Sequence, residues 1–127
     1  MIKNILVIGL SGGIGSIARF LCQKWFMNYY PQSFPWGTFL VNVVGCFLIG
    51  LFWAATLRPF AGHETWKLLL LTGFCGGFTT FSSFTLDGLN LLRDQKTGLF
   101  FLYTAGSVII GLLATFAGIK LIRPGLF

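Results

Sequence analysis

Residues that could bind an ion are concentrated in one segment, Thr72–Thr85, whose sequence is TGFCGGFTTFSSFT. The adjacent glycines Gly76 and Gly77 favour an interruption of a helix, because glycine weakens a helix interior. Backbone carbonyls freed at an interruption can coordinate a cation, and freed N–H groups can bind an anion. Phe81 and Phe84 share a helix face, and the positive edges of their rings could hold a small anion without a fixed charge. The segment predicts an ion site, with aromatic packing as the alternative for the two rings.

Polar side chains also interrupt apolar segments elsewhere in the chain. Arg19 has two interpretations. Its side chain could snorkel to the membrane surface, or it could be an electropositive element beside an anion path. Asn42 and Thr38 share a helix face, and an amide among apolar residues must face protein or a pore. Tyr103 and Ser107 form a weaker pair, also on one face, for which packing is the simpler interpretation.

The composition indicates that these residues lie in a membrane protein. Of the 127 residues, 9% are charged and 55% are hydrophobic, whereas about 25% of an ordinary soluble domain is charged. This excludes a soluble globular domain and a disordered chain. The net charge of +6 comes from scattered basic residues without a patch, so we expect no nucleic-acid partner.

Stretches without charge are long enough for four transmembrane helices in a single transmembrane domain, residues 1–127. A spanning helix needs about 20 mostly apolar residues, and we predict helices at about 4–26, 36–58, 66–92 and 98–121. The third is expected to be broken in the middle of the membrane. The alternating ten-residue strands of a membrane β-barrel do not fit this pattern.

Positive charges are divided almost evenly between the two predicted sides of the membrane. One side carries five: Lys3, Arg58, Lys67, Lys120 and Arg123. The other side carries three: Lys24, Arg93 and Lys96. Because this bias normally sets orientation, two topologies remain open. Either both termini are cytoplasmic, or copies insert in both directions and assemble antiparallel.

Two patterns that could indicate an enzyme do not fit the rest of the chain. The three cysteines are widely spaced and there is one histidine, so no zinc site is expected. Gly13-x-Gly15-x-x-Ala18 fits part of a dinucleotide fingerprint, but no acidic residue follows about 20 positions later to hold a ribose. The glycines are better explained as positions where helices approach closely. We therefore expect no enzymatic activity.

The chain resembles the Fluc family of fluoride channels, also called the CrcB family, over essentially its whole length. The resemblance rests on Gly12-Gly13-x-Gly15-x-x-x-Arg19 and on Gly37-Thr38-x-x-Val41-Asn42-x-x-Gly45. The most specific motif is GFCGGFTTFSSF, which starts at Gly73 and ends at Phe84.

The resemblance implies an all-α membrane protein with four transmembrane helices, assembled as an antiparallel, dual-topology homodimer in the lipid bilayer. It implies two fluoride pores at the dimer interface, passive export of cytoplasmic fluoride across the bacterial inner membrane, and fluoride resistance. The family's pore residues correspond to Phe81, Phe84, Asn42 and the vestibule residue Arg19, and more loosely to Tyr103 and Ser107. We add the hydroxyls of Thr38, Ser82 and Ser83, which could replace the water around fluoride.

The resemblance also implies a structural Na⁺ at the centre of the dimer, held by backbone carbonyls of Gly76 and Thr79 from both subunits. One position departs from the family pattern. The family often has Glu six residues after the first phenylalanine of the motif, and here that residue is Asp87, one methylene shorter.

A small dual-topology exporter of drugs or other cations is the alternative function. Such exporters generally need a carboxylate within the membrane, and Asp87 is the candidate here. A membrane subunit that transports nothing is a second alternative, but it leaves the hydroxyl-rich third helix unexplained.

Overall fold

The computed structural model describes residues 1–57 and 62–127, and every regular element in these two parts is helical. In chain order, the elements are α1 (Ile2–Tyr29), α2 (Trp36–Ala55), α3 (His63–Lys67), a π-helical segment (Leu68–Cys75), α4 (Gly76–Phe78), α5 (Phe81–Arg93) and α6 (Thr97–Ile122). Pro35 precedes α2, where a proline is compatible with the start of a helix.

Four helical stretches are long and apolar enough to cross a membrane, as the sequence predicts. They are α1, α2, α6 and the third span, His63–Arg93, which contains the shorter elements from α3 to α5. Their ends lie within a few residues of the predicted ones. The predicted end of the second helix at residue 58 and the Arg58 charge in the topology count lie outside the described residues.

The third span leaves the helical conformation at Thr79 and Thr80, which we call the Thr79–Thr80 link. Thr79 has φ −84° and ψ 159°, and Thr80 has φ −151° and ψ 115°. Gly76 and Gly77 are themselves helical. The interruption was predicted at the glycine pair, and this predicted position is wrong because the helix continues to Phe78. Thr80 has the chemistry of a helix N-cap, because its Oγ1 accepts a hydrogen bond from the backbone N–H of Ser83 at 3.2 Å.

Glycines lie where pairs of helices approach most closely. A Cβ atom on Gly77 or Gly15 would overlap main-chain atoms of the opposite element, between the third span and α1. A Cβ atom on Gly50 or Gly118 would likewise overlap main-chain atoms, here between α2 and α6. Gly13 has no such neighbour within 4 Å. Gly77 therefore serves close packing, which is a common function of small residues in membrane helices, whereas a Cβ on Gly76 would make only an ordinary contact.

The exterior of the chain is strongly apolar. Large hydrophobic side chains are exposed along α1 and α6, among them Ile14, Leu21, Leu102 and Leu112. Among the described residues, few hydrophobic side chains are fully buried compared with the number that are exposed. A surface of this kind is stable against lipid or against another apolar protein surface.

Replacing Gly77 with alanine should destabilise the fold, because the added methyl group meets the backbone of Gly12. Overpacking of this kind costs about 1–3 kcal/mol. The thermal unfolding temperature in detergent measures the effect. Gly98→Ala is the matched control, since Gly98 is also helical and has no atom within 4 Å of an added Cβ. Equal unfolding temperatures for the two variants would contradict this account of Gly77.

Candidate functional site

The side chain of Asn42 holds the Thr79–Thr80 link. Its Nδ2 donates to the carbonyl oxygen of Thr80 at 3.0 Å, and its Oδ1 accepts from the backbone N–H of Thr80 at 2.7 Å. The two bonds run in opposite directions, so they fix which way the amide faces. An extended residue in a membrane helix leaves both backbone groups without helical partners. Asn42 supplies both, and one Nδ2 hydrogen remains available.

Arg19 lies against the other residue of the link. Its Nη1 donates to the carbonyl oxygen of Thr79 at 3.4 Å, and the side chain is half-buried. Ser16, one turn earlier on α1, donates to the carbonyl oxygen of Gly77, also at 3.4 Å. The three acidic side chains of the chain all lie in its described parts, and none is within ion-pair distance of Arg19. The positive charge of Arg19 therefore remains available to an anion.

Hydroxyl groups cluster where α5 begins. Thr80 Oγ1 lies 3.1 Å from Ser83 Oγ and 3.3 Å from Ser82 Oγ. Thr80 is buried, whereas Ser82 is exposed. The N-terminus of a helix carries a partial positive charge, and α5 is 13 residues long. The hydroxyl cluster and the helix end together favour negative charge at this point.

A cavity of about 310 Å³ opens beside the link. It is lined by residues from α2, the link, α5 and α6: Asn42, Gly45, Cys46, Ile49, Thr79, Thr80, Phe81, Phe84, Ser107 and Val108. The rings of Phe81 and Phe84 are 5.7 Å apart between centroids and tilted by 39°. Phe81 is 77% exposed in the single chain. The cavity is therefore open on the side of Phe81.

Two hydroxyl groups on α6 are buried without a partner. Tyr103 is completely buried, and neither its hydroxyl nor that of Ser107 has a hydrogen-bond partner within the described residues. An unsatisfied buried hydroxyl costs about 1–3 kcal/mol. The Tyr103 ring packs against Phe84 at 5.2 Å, and its hydroxyl is within electrostatic reach of Asp87 and Thr38. These are donors that a bound anion or water could satisfy.

A second cavity, of about 450 Å³, lies near the ends of α1 and α5. Its polar lining includes Gln23, Thr38, Ser83, Asp87 and Asn90. Thr38 and Asn42 are one turn apart on α2, so the two cavities follow the same face of that helix. The ring of Tyr103 packs against Phe84, which lines the smaller cavity, and its hydroxyl interacts electrostatically with Asp87 and Thr38, which line the larger one.

The structure brings most of the predicted residues together in two groups. The smaller cavity collects Asn42, Phe81, Phe84, Ser107 and Thr79. The larger cavity collects Thr38 and Ser83, and it also contains Asp87. Arg19 and Ser82 lie at the link itself. Gly76 lines neither cavity and is exposed on the surface of the chain.

Two contributors were not among the predicted site residues. Thr80 connects the Asn42 amide to the serine hydroxyls. The sequence signal for Thr80 was a threonine three residues before a serine, which is typical of a helix N-cap. Gln23 contacts Thr38 through a bond of 3.3 Å from its Nε2 to Thr38 Oγ1. A lone amide one turn after Arg19 in an apolar helix was the signal for Gln23.

Changing Asn42 to aspartate should destabilise the protein although the side chain keeps its shape. The carboxylate loses the donor to Thr80 and places negative charge beside the Thr80 carbonyl oxygen. We expect a loss of about 1–3 kcal/mol, the cost of leaving a buried polar group unpaired, seen as a lower unfolding temperature in detergent. Asn28→Asp, at an exposed position near the end of α1, is the control. An equal shift in both variants would refute the holding function of Asn42.

Comparison with known proteins places this architecture in one family. A family model described as "CrcB-like protein, Camphor Resistance (CrcB)" matches residues 6–119. A protein of Rhizobium etli is 42% identical over 118 residues, covering 93% of this chain and 94% of that protein. One of Leptospira interrogans is 44% identical over 121 residues, covering 95% of each. One of Phocaeicola vulgatus is 44% identical over 117 residues, covering 92% of this chain and 96% of that protein. All three relatives are called "Fluoride-specific ion channel FluC".

Proposed function

The chain belongs to the CrcB family, and from this premise we propose that it is a fluoride-selective channel, which exports cytoplasmic fluoride passively and gives fluoride resistance. The family is one of ion channels and not of enzymes. The observation that carries the proposal is the 310 Å³ cavity, where an amide, hydroxyls and two phenyl rings meet. Among its described lining residues there is no carboxylate.

Selectivity for fluoride follows from the kind of donors in this cavity. Fluoride is small and strongly hydrated, so a pore must replace its water with other donors. Within residues 1–57 and 62–127, one amide hydrogen of Asn42 and the hydroxyl of Ser107 have no partner. The ring edges of Phe81 and Phe84 carry partial positive charge. Arg19 raises the local anion concentration through its field. A narrow part of the proposed path would exclude larger halides by size.

The proposed path runs along one face of α2. It leads from the larger cavity, past Thr38 and Ser83, to the Tyr103 hydroxyl and then into the smaller cavity. Tyr103, which is completely buried and interacts with residues of both cavities, would form the narrow point of this path. Its unsatisfied hydroxyl gives an anion a donor at that point. Ser82, at the link, adds a hydroxyl on the exposed side.

The open side of the smaller cavity favours an antiparallel homodimer with two pores at its interface. Phe81 and Ser82 are exposed in the single chain, and hydroxyls and irregular backbone are not stable against lipid. A second copy would cover them and complete the wall. The near-even division of basic residues supports dual topology. Each copy would form a single transmembrane domain with four spans, with the link at mid-membrane depth, in the bacterial inner membrane.

The chemistry of the link fits a structural Na⁺ with one constraint. Carbonyl oxygens suit hard cations, and Gly76 is exposed where a second copy could approach it. One chain offers two carbonyls, those of Gly76 and Thr79, so four oxygens would require the dimer. Thr79 O already accepts from Arg19, so the ion must approach its other lone pair. The positive charge of the ion would attract the carbonyl oxygens of both subunits and so hold the Thr79–Thr80 links of the two copies together.

The exporter of drugs or other cations has one observation in its favour, since Asp87 lines the larger cavity. That carboxylate lies toward the end of α5 rather than beside the link. The other two, Glu64 and Asp94, lie at the start of α3 and just after α5. The fluoride channel therefore remains the better-supported function.

Replacing Phe81 with isoleucine should slow fluoride efflux from liposomes about tenfold, because isoleucine keeps the apolar bulk but lacks a positive ring edge. A fluoride electrode measures the rate, and chloride efflux is measured in parallel. Phe101→Ile is the matched control, since Phe101 is also exposed, at 65%, and lies on α6 outside the cavity. Unchanged efflux and unchanged selectivity in the Phe81 variant would remove Phe81 from the pore.

Fluoride efflux should also depend on sodium if the ion joins the two links. We expect efflux to fall when Na⁺ is replaced on both sides by a large organic cation, and to recover when Na⁺ is returned. The efflux rate of the same wild-type liposomes in Na⁺ provides the comparison. Equal rates in the two cations would refute the sodium site and leave the channel proposal intact.

A further inference from the structure

Gln23 lies near the end of α1 and reaches across to α2. Its Nε2 is 3.3 Å from Thr38 Oγ1. Gly37 makes this approach possible, because a Cβ atom at that position would lie only 3.2 Å from the Cα of Gln23. Both Gln23 and Thr38 line the larger cavity, and Thr38 is 6% exposed. The contact is therefore part of the wall past which an anion would enter.

The direction of this bond determines what Thr38 can offer. A threonine hydroxyl has one hydrogen and two lone pairs. Because Gln23 donates to one lone pair, the hydroxyl hydrogen must point elsewhere. Thr38 interacts with the Tyr103 hydroxyl and lines the larger cavity, so these are the directions open to that hydrogen. Without a donor at position 23, the hydroxyl is free to turn its lone pairs toward the cavity, where they repel an anion.

We propose that Gln23 is a positioning residue for fluoride conduction, whose amide holds the Thr38 hydroxyl with its hydrogen directed into the anion path. This inference rests on the proposed fluoride channel. Gln23 does not contact the ion in this scheme and acts only through Thr38. Its contribution should therefore disappear when Thr38 has no hydroxyl.

A double-mutant cycle on fluoride efflux tests this dependence. Gln23→Met keeps the length of the side chain and removes the donor, and we expect efflux to slow about three- to tenfold, the value of one neutral hydrogen bond. Thr38→Val should slow efflux at least as much. The double variant should be no slower than Thr38→Val alone. Gln32→Met is the control, because Gln32 is exposed and lines the same cavity without a bond to Thr38.

Gln23→Glu gives a second test that preserves the shape of the side chain. An ionised glutamate can only accept, so it would draw the Thr38 hydrogen away from the path. We expect this variant to be slower than Gln23→Met. Gln32→Glu, which adds the same charge to the same cavity, should have a smaller effect. A purely structural contribution would instead make the isosteric glutamate the milder change at position 23.

The outcomes separate this inference from the proposed function. Fluoride efflux by the wild-type protein, with Gln23→Met slower only when Thr38 is present, supports it. Wild-type efflux with an unchanged Gln23→Met variant, or with effects that add in the double variant, overturns the inference alone. No fluoride efflux by the wild-type protein overturns both.

Discussion

Two hydrogen bonds from one side chain make the site possible. Where α4 ends and α5 begins, Thr80 is extended, and its backbone N–H and carbonyl both bond to the amide of Asn42. No water is available in a bilayer to satisfy such groups, and each unpaired one costs several kcal/mol. The amide therefore permits an extended stretch in a membrane span. Because it belongs to α2, it also sets the position of α5 relative to that helix.

The chemistry of the cavity depends on that position. With Thr80 held, its hydroxyl caps α5 and bonds to Ser83, and the first turn of α5 presents Phe81 beside the smaller cavity. Phe84, one turn on, lines the same cavity and packs against Tyr103. Asn42, which stabilises the link, is thus also among the groups proposed to replace the hydration shell of fluoride. Stability and conduction share the same bonds in this account, so a change at Asn42 should affect both.

The sequence predicted the four spans because a membrane helix is decided by local properties, namely length, apolarity and absence of charge. It predicted the wrong place for the interruption, because a glycine pair can either end a helix or let another helix approach. Which of the two occurs depends on what lies opposite, and here that is the backbone of Gly12. For Asn42, the choice between packing and lining a pore could not be made from the sequence. The structure shows that Asn42 bonds to Thr80 and also lines a cavity, and its place in a pore stays a proposal. Gln23 was missed because its contact joins two helices, and no local pattern records it.

We propose above all that this chain, with its third span extended at the Thr79–Thr80 link, conducts fluoride in preference to other ions. The most direct measurement is ion efflux from liposomes that contain only the purified wild-type protein, loaded in separate batches with fluoride, chloride and a cationic dye. The account predicts rapid fluoride efflux down its gradient with no proton gradient, and no efflux of chloride or dye above that of protein-free liposomes. Dye movement that requires a proton gradient, or chloride efflux as fast as that of fluoride, would contradict it.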